Sequence, residues 1–290
     1  MHYTICSQGR EAVISTTGAE LQSLTDRESG EEFLWQGDPA IWNGRAPILF
    51  PVVGSLKEDR FQHGDSDYEM VPHGFARRSE FDCVEASTDR LKLSLRASPA
   101  TLRHYPWDFS LQIDFFWRLD QLVIEYTVIN MNEREMLFNI GSHPAFILPL
   151  ENARIEDYQI EFSEAETLDT WAIVNRLLES PPRPFLSDQR AFPLSSTLFD
   201  NDALVFMNVR SNVVSLRHRD HDTRISVETG GAPHLGIWAK PAAPYVCIEP
   251  WWGYADLATA DGILANKAGI QRLAAGGVFS TYIAIDTRLN

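Results

Sequence analysis

Three short segments set a titratable side chain among glycine, proline and aromatic residues. They are Pro72-His73-Gly74-Phe75-Ala76-Arg77, Gly141-Ser142-His143-Pro144-Ala145-Phe146 and Cys247-Ile248-Glu249-Pro250-Trp251-Trp252-Gly253. A fourth, Asn43–Pro51, places Arg45 at the entrance to an apolar run. Glu249 follows the β-type run Tyr245–Ile248 and precedes a proline and two tryptophans. Partial desolvation beside aromatic walls raises a carboxylate into the range useful for a base. His143 and His73 titrate near neutrality and could hand a proton to an oxygen. Arg45 could offer a fork of donors to vicinal hydroxyls. Taken singly, each has a plainer reading: a surface glutamate at a strand end, a hydrogen-bonded structural histidine, an arginine paired with a nearby acid.

Several other chemistries lack their signatures. Two histidines and a glutamate can form a facial metal triad, but no H-x-H, H-E-x-x-H or close H-x-D pair occurs, so no metal is expected. There is no G-x-S-x-G elbow, Walker A loop or G-x-G-x-x-G turn. Cys6, Cys83 and Cys247 are odd in number and widely spaced, which argues against a disulfide framework and a structural zinc site. With 40 acidic against 25 basic residues the net charge is −15, a surface that repels nucleic acid and anionic lipid. No basic segment followed by an apolar run opens the chain, and the longest apolar stretch, around Ala46–Val53, holds Pro47 and Pro51. Neither a secretory signal nor a membrane span is expected, and the cytoplasm is the expected compartment.

The elements that must position these residues read as strands. Short alternating or apolar runs rich in Val, Ile, Phe, Tyr and Thr recur, among them Glu11–Ser15, Leu91–Arg96, Leu111–Phe116, Leu122–Val128, Asp202–Asn208, Val213–Arg217, His234–Trp238, Tyr245–Ile248 and Val278–Asp286. In Gln121–Asn130 the alternation puts Leu122, Ile124, Tyr126 and Val128 on one face. Helical signals are few: Ser98 caps a turn over Pro99–His104, and Asp256–Ala265 is a short helix or a loop. Leu178–Pro193, with four prolines, reads as an irregular connection. No βαβ alternation appears, so one large antiparallel β domain over residues 1–290 is expected.

In this order and spacing the segments resemble the aldose 1-epimerase (galactose mutarotase-like) superfamily, in its bacterial branch of shorter epimerase-like proteins. The resemblance runs through Thr17–Leu21, Phe33–Trp35, RAPILFPVVG at Arg45–Gly54, HGFAR at His73–Arg77, Tyr105–Phe109, GSHPAF at Gly141–Phe146, FDNDALVF at Phe199–Phe206, LGIW at Leu235–Trp238 and IEPWWG at Ile248–Gly253. It implies an all-β fold, a β-supersandwich of large antiparallel sheets with an open sugar-binding cleft. It further implies Glu249 as general base and His143 as general acid, with His73 supporting the acid or binding near the ring oxygen. Arg45 would bind substrate hydroxyls, and Asp202 is the candidate substrate-binding aspartate, with Asp200 its competitor. Trp251 and Trp238 would stack on the ring or wall the cleft.

The expected reaction interconverts the α and β anomers of a small-molecule sugar, with no cofactor. Ring opening removes the O1 proton and protonates the ring oxygen; the aldehyde rotates, and the roles reverse on closure. An imidazolium beside a carboxylate would hold the histidine's pKa up, and turnover would show a bell-shaped pH profile. Two alternatives stay open: a non-catalytic sugar-binding or sensor protein, and a hexose-6-phosphate 1-epimerase, for which Arg77 and Arg78 could reach a phosphate. A lyase-like activity on the same scaffold is a weaker third.

Overall fold

Every second residue of Gln121–Asn130 is apolar, and this alternation sets the core. In the computed structural model, which describes residues 1–148 and 154–288, Leu122, Ile124, Tyr126 and Val128 are each at most 4% exposed. The strand pairs antiparallel with Phe109–Arg118 on one side and Val278–Arg288 on the other. Ile124 lies opposite both Phe115 and Ile283, and Phe115 opposite Leu91, so a buried apolar row crosses four strands. A one-residue slip would turn each member to the other face, which is why the register is unambiguous. Each such side chain contributes up to about 1.5–3 kcal/mol through burial.

These strands belong to one fifteen-stranded antiparallel sheet. Its path runs from Ile48–Leu49 through Ile140–Ser142, Tyr245–Trp252, His234–Trp238, Leu204–Met207, Tyr158–Val174 and Val213–His218. It continues through Arg224–Glu228, Val278–Arg288, Gln121–Asn130, Phe109–Arg118 and Arg90–Arg96 to Asp82–Ala86. Twist prevents so long a sheet from staying flat, and the result is the expected all-β supersandwich. A three-stranded sheet, His2–Cys6, Arg10–Ser15 and Glu20–Asp26, a short hairpin, Arg60–His63 with Ser66–Glu69, and a long-range pair, Met136–Phe138 with Gln271–Leu273, complete it. Helix is confined to single turns; the one over Pro99–Leu102 starts as expected, with the Ser98 hydroxyl accepting from the Thr101 N–H. Asp256–Ala265 is loop, entering a 3-10 turn only at Leu264. Among the described residues no helix is long and apolar enough to cross a membrane.

Leu178–Pro193 is not an irregular connection. It lies within a 17-residue strand, Leu177–Pro193, that pairs with Tyr158–Val174 in a long hairpin arm. The prolines are tolerated because, among the described residues, the other edge of this strand is bridged only at Leu178, to Leu257, and its ladder shifts register repeatedly, as around Pro181 and Pro182. The arm turns on Asn175 and Arg176, both with positive φ (49° and 70°), the pattern of a two-residue hairpin turn. Near its tip Leu178 is buried in a small second apolar cluster with Leu49, Val53, Val205, Trp251 and Ala255. Five of these residues, Val53, Leu178, Val205, Trp251 and Ala255, line a cleft.

Candidate active site

The strand Tyr245–Trp252 is buried at all eight positions and has neighbours on both edges. Strand periodicity sends Cys247, Glu249 and Trp251 to one face and Val246, Ile248 and Trp252 to the other. Trp251 lies across two glycines of the flanking strands. A Cβ on Gly236 would fall 2.4 Å from its Cζ2, and one on Gly141 would fall 2.6 Å from its Cδ1. Lack of a side chain at both positions is therefore what seats the indole. We expect Gly236→Val to displace Trp251, costing about 1–3 kcal/mol of stability as overpacking does. Urea unfolding followed by tryptophan fluorescence would check this; an unshifted spectrum with unchanged stability would refute it.

His143 sits in the break between Ile140–Ser142 and Ala145–Ile147, where Pro144 interrupts pairing. Its backbone N–H donates to the Pro47 carbonyl (3.1 Å), and that of Ala145 donates to the Arg45 carbonyl (2.8 Å). The Arg45–Pro51 segment thus holds the histidine segment through its backbone. The ring of Trp42 stacks on that of His143 (5.1 Å between centroids, 27° between planes), and Trp238 meets it edge-on at 5.7 Å. His143 Nε2 is 3.3 Å from Glu249 Oε2.

His73 is held in a left-handed turn (φ 63°). Its N–H donates to the Gly54 carbonyl at 2.7 Å, while its Nδ1 accepts from the Gly54 N–H at 3.2 Å. Nδ1 is therefore unprotonated, and Nε2 carries the ring proton. Gly74 follows with φ 71°, and a Cβ there would lie 2.1 Å from the Phe50 carbonyl oxygen, so no larger residue fits.

Seven of the eight expected site residues, His73, Arg77, His143, Asp202, Trp238, Glu249 and Trp251, line one cleft of about 250 Å³. Arg45 does not. Its guanidinium donates to the Gln22 carbonyl (2.7 Å) and to Gln36 Oε1 (3.1 Å), so the side chain is committed to these two neighbours. Asp202, not Asp200, lines the cleft. It does so from a turn with φ 81°, ahead of a strand that begins at Leu204, rather than by opening that strand. Two further liners went unread in the sequence. Trp42 lies in a loop without regular pattern, its one signal being the Trp-Asn-Gly run just before Arg45. Arg176 lies at the tip of the arm, concealed by the proline-rich strand that follows it. Arg176 pairs with Asp59 at 2.8 Å, and Arg77 donates to the Pro72 carbonyl at 2.9 Å.

Burial governs the electrostatics. It pushes the Glu249 carboxyl well above the usual range, helped by the Asp202 charge and only partly opposed by the Trp251 indole. It also pushes His143 well below its ordinary value, with His73 and Arg77 acting in the same direction. Burial thus acts against the expectation that the carboxylate holds the histidine's pKa up: it disfavours the charged form of both groups, the Glu249 carboxylate and the His143 imidazolium. His73, lowered to about 3 by burial and Arg77, is neutral. Among the described residues Arg77 Nε, His143 Nδ1, Glu249 Oε2 and Trp251 Nε1 are buried without a hydrogen-bond partner. Such atoms cost about 1–3 kcal/mol each, and their gathering around one cleft marks a site built for a polar ligand.

Comparison with known proteins places this geometry in a family. The family model described as aldose 1-epimerase matches residues 1–261. The chain is 33% identical over 269 residues to the chromosomal protein LacX of Lactococcus lactis subsp. lactis, covering 89% of this chain and 90% of that one. Its fold matches a galactose mutarotase related enzyme from Lactobacillus acidophilus with a TM-score of 0.96 and 33% identity, over 100% of this chain and 98% of that one. A galactose mutarotase-like protein from Lactobacillus casei matches with a TM-score of 0.94 and 28% identity, over 99% of this chain and 100% of the other. The fold is galactose mutarotase-like, and the chain belongs to the aldose 1-epimerase family.

Proposed function

We propose that the protein catalyses interconversion of the α and β anomers of an unphosphorylated aldose by acid–base ring opening. The observation that carries this reading is the buried His143–Glu249 pair, 3.3 Å apart at the wall of a cleft rich in tryptophan. A cyclic aldose is a hemiacetal. Opening it takes a proton from O1 and gives one to the ring oxygen, and a pair that holds one proton between two sites can do both. In the forward step Glu249 is ionised and takes the O1 proton while His143 gives its proton to the ring oxygen, and the bond between C1 and that oxygen breaks. This leaves Glu249 protonated and His143 neutral. Burial favours the uncharged form of each group, the form they hold against the open aldehyde. Binding a closed sugar requires the proton to pass first from Glu249 to His143 across the 3.3 Å gap. After rotation about C1–C2, Glu249 returns its proton to O1 and His143 recovers the other.

The remaining residues bind. His73, neutral and protonated on Nε2, donates to a sugar oxygen without adding charge. Trp251, Trp238 and Trp42 offer apolar faces to the ring, Asp202 accepts from a hydroxyl, and Arg77 donates its free Nε–H. Both cleft arginines already have partners, Arg176 in Asp59 and Arg77 in the Pro72 carbonyl. This favours neutral sugars over hexose 6-phosphates. Freshly dissolved α-D-glucose and α-D-galactose should therefore equilibrate faster with protein than without, by polarimetry or NMR, and their 6-phosphates less so. A preference for the phosphates would overturn the neutral-sugar assignment. Inertness on all four, with sugar binding retained, would replace the enzyme by a sugar-binding protein.

A further inference from the structure

Cys247 has no part in the reaction just described, yet it lies beside the two groups that do. It leaves the central strand on the same face as Glu249, two residues away, and is fully buried. Its Sγ, a ring nitrogen of His143 and a carboxylate oxygen of Glu249 all lie within 4.8 Å of one another. The cluster includes polar atoms of His143 and Glu249 that lack a hydrogen-bond partner among the described residues. We propose that His143, Cys247 and Glu249 form a site for a thiophilic divalent cation, zinc or cadmium, and that its occupation shuts down the cleft. The inhibition rests on the function proposed above; the binding does not.

The donor set selects the ion. A thiolate and an imidazole suit zinc or cadmium, whereas magnesium and calcium seek oxygen alone. Three protein ligands with a fourth position open are a common zinc arrangement. Zinc bonds of about 2.0–2.3 Å set tetrahedral donors about 3.5 Å apart, so donors within 4.8 Å of one another must close by at most about 1.3 Å. Charge favours the complex too. Binding displaces the Cys247 thiol proton and any proton on Glu249 to solvent; the thiolate and carboxylate then carry two negative charges, and a dication with neutral His143 leaves no net charge in a buried place. The metal then holds the Glu249 oxygen and the His143 nitrogen that the sugar needs, so metal and sugar exclude each other.

The test titrates chelator-treated protein with cadmium and follows the ultraviolet cadmium–thiolate charge-transfer band. We expect one cadmium per chain with that band, retained when Cys6 and Cys83 are both changed to Ser. Cys247→Ser and Cys247→Ala should abolish the band and raise the cadmium dissociation constant at least about 10-fold, the least that losing even an outer partner of a metal costs. His143→Asn should weaken binding as well, a second check should the Cys247 variants fold poorly by circular dichroism. Wild-type protein without a thiolate band, or a band that survives loss of Cys247, would overturn the proposal. Cadmium bound through Cys247 with anomer interconversion undiminished would keep the site and sink the acid–base pair.

Discussion

If the proposed reaction holds, Glu249→Gln should lower the rate of anomer interconversion by about 10²–10⁴-fold, the contribution of one positioned acid–base group. The substitution keeps the size and shape of a side chain that is 1% exposed. It removes the capacity to take and return a proton while leaving the tryptophan walls and His73 to bind sugar. The loss should therefore fall on kcat more than on KM. His143→Asn should cost a similar factor, since each half-reaction needs both partners. The double variant should be little worse than the more damaged single one, because two groups that share one proton act as a unit. NMR exchange between anomers measures all three proteins against the uncatalysed rate. Losses that multiply in the double variant would show two independent groups, and unimpaired singles would remove the pair from the mechanism.

The fold was legible where one periodicity governed it. Leu122, Ile124, Tyr126 and Val128 alternate without exception, and their neighbours present matching apolar residues, so burial leaves a single register. The proline-rich arm was illegible because composition alone does not distinguish a loop from a strand with one largely free edge, where a missing N–H costs no ladder bond. Misreading the arm also hid Arg176, whose place at the cleft comes from a turn carried across by the arm.

The site was legible as a set of segments, less so as a set of atoms. His143 and His73 stand where proline and glycine break or turn the backbone, while Glu249 stands beside Pro250 within an unbroken strand, and that marking survives in one dimension. Arg45 shows the limit. Its segment does support His143, but through the carbonyls of Arg45 and Pro47, while the guanidinium serves Gln22, in the strand Glu20–Asp26, and Gln36. A motif records which segment matters and is silent on whether side chain or backbone does the work. Cys247 failed in a different way. Counting cysteines excludes a disulfide, and only the two-residue strand period beside Glu249 brings it into the site.

Stability should fall steeply as the pH drops from about 6.5 to about 4.5, the interval between ordinary imidazole and carboxylate values. Three buried imidazoles are depressed by desolvation: His73 to about 3, His234 to about 4, and His143 well below its usual range. A depressed imidazole contributes stability that is present above its unfolded pKa and is lost as the pH falls toward the folded one. Glu249 has the opposite sign. Its raised folded pKa contributes stability that is present in acid and is lost as the pH rises. Within the interval the lowered imidazoles leave the unfolded chain with more bound protons than the folded one, and the raised Glu249 carboxyl partly offsets them. Each full proton of difference is worth about 1.4 kcal/mol per pH unit, and the partly exposed His63 adds a smaller share of the same sign as the other imidazoles. The two variants then move the slope in opposite directions. His73→Asn removes one proton from the unfolded count and should make the slope shallower by up to about 1.4 kcal/mol per unit. Glu249→Gln removes the opposing proton and should steepen it. Urea unfolding of chelator-treated protein across the interval measures each slope. A Glu249→Gln slope shallower than wild type would mean that Glu249 is ionised in the empty cleft, and the resting proton would then belong to His143.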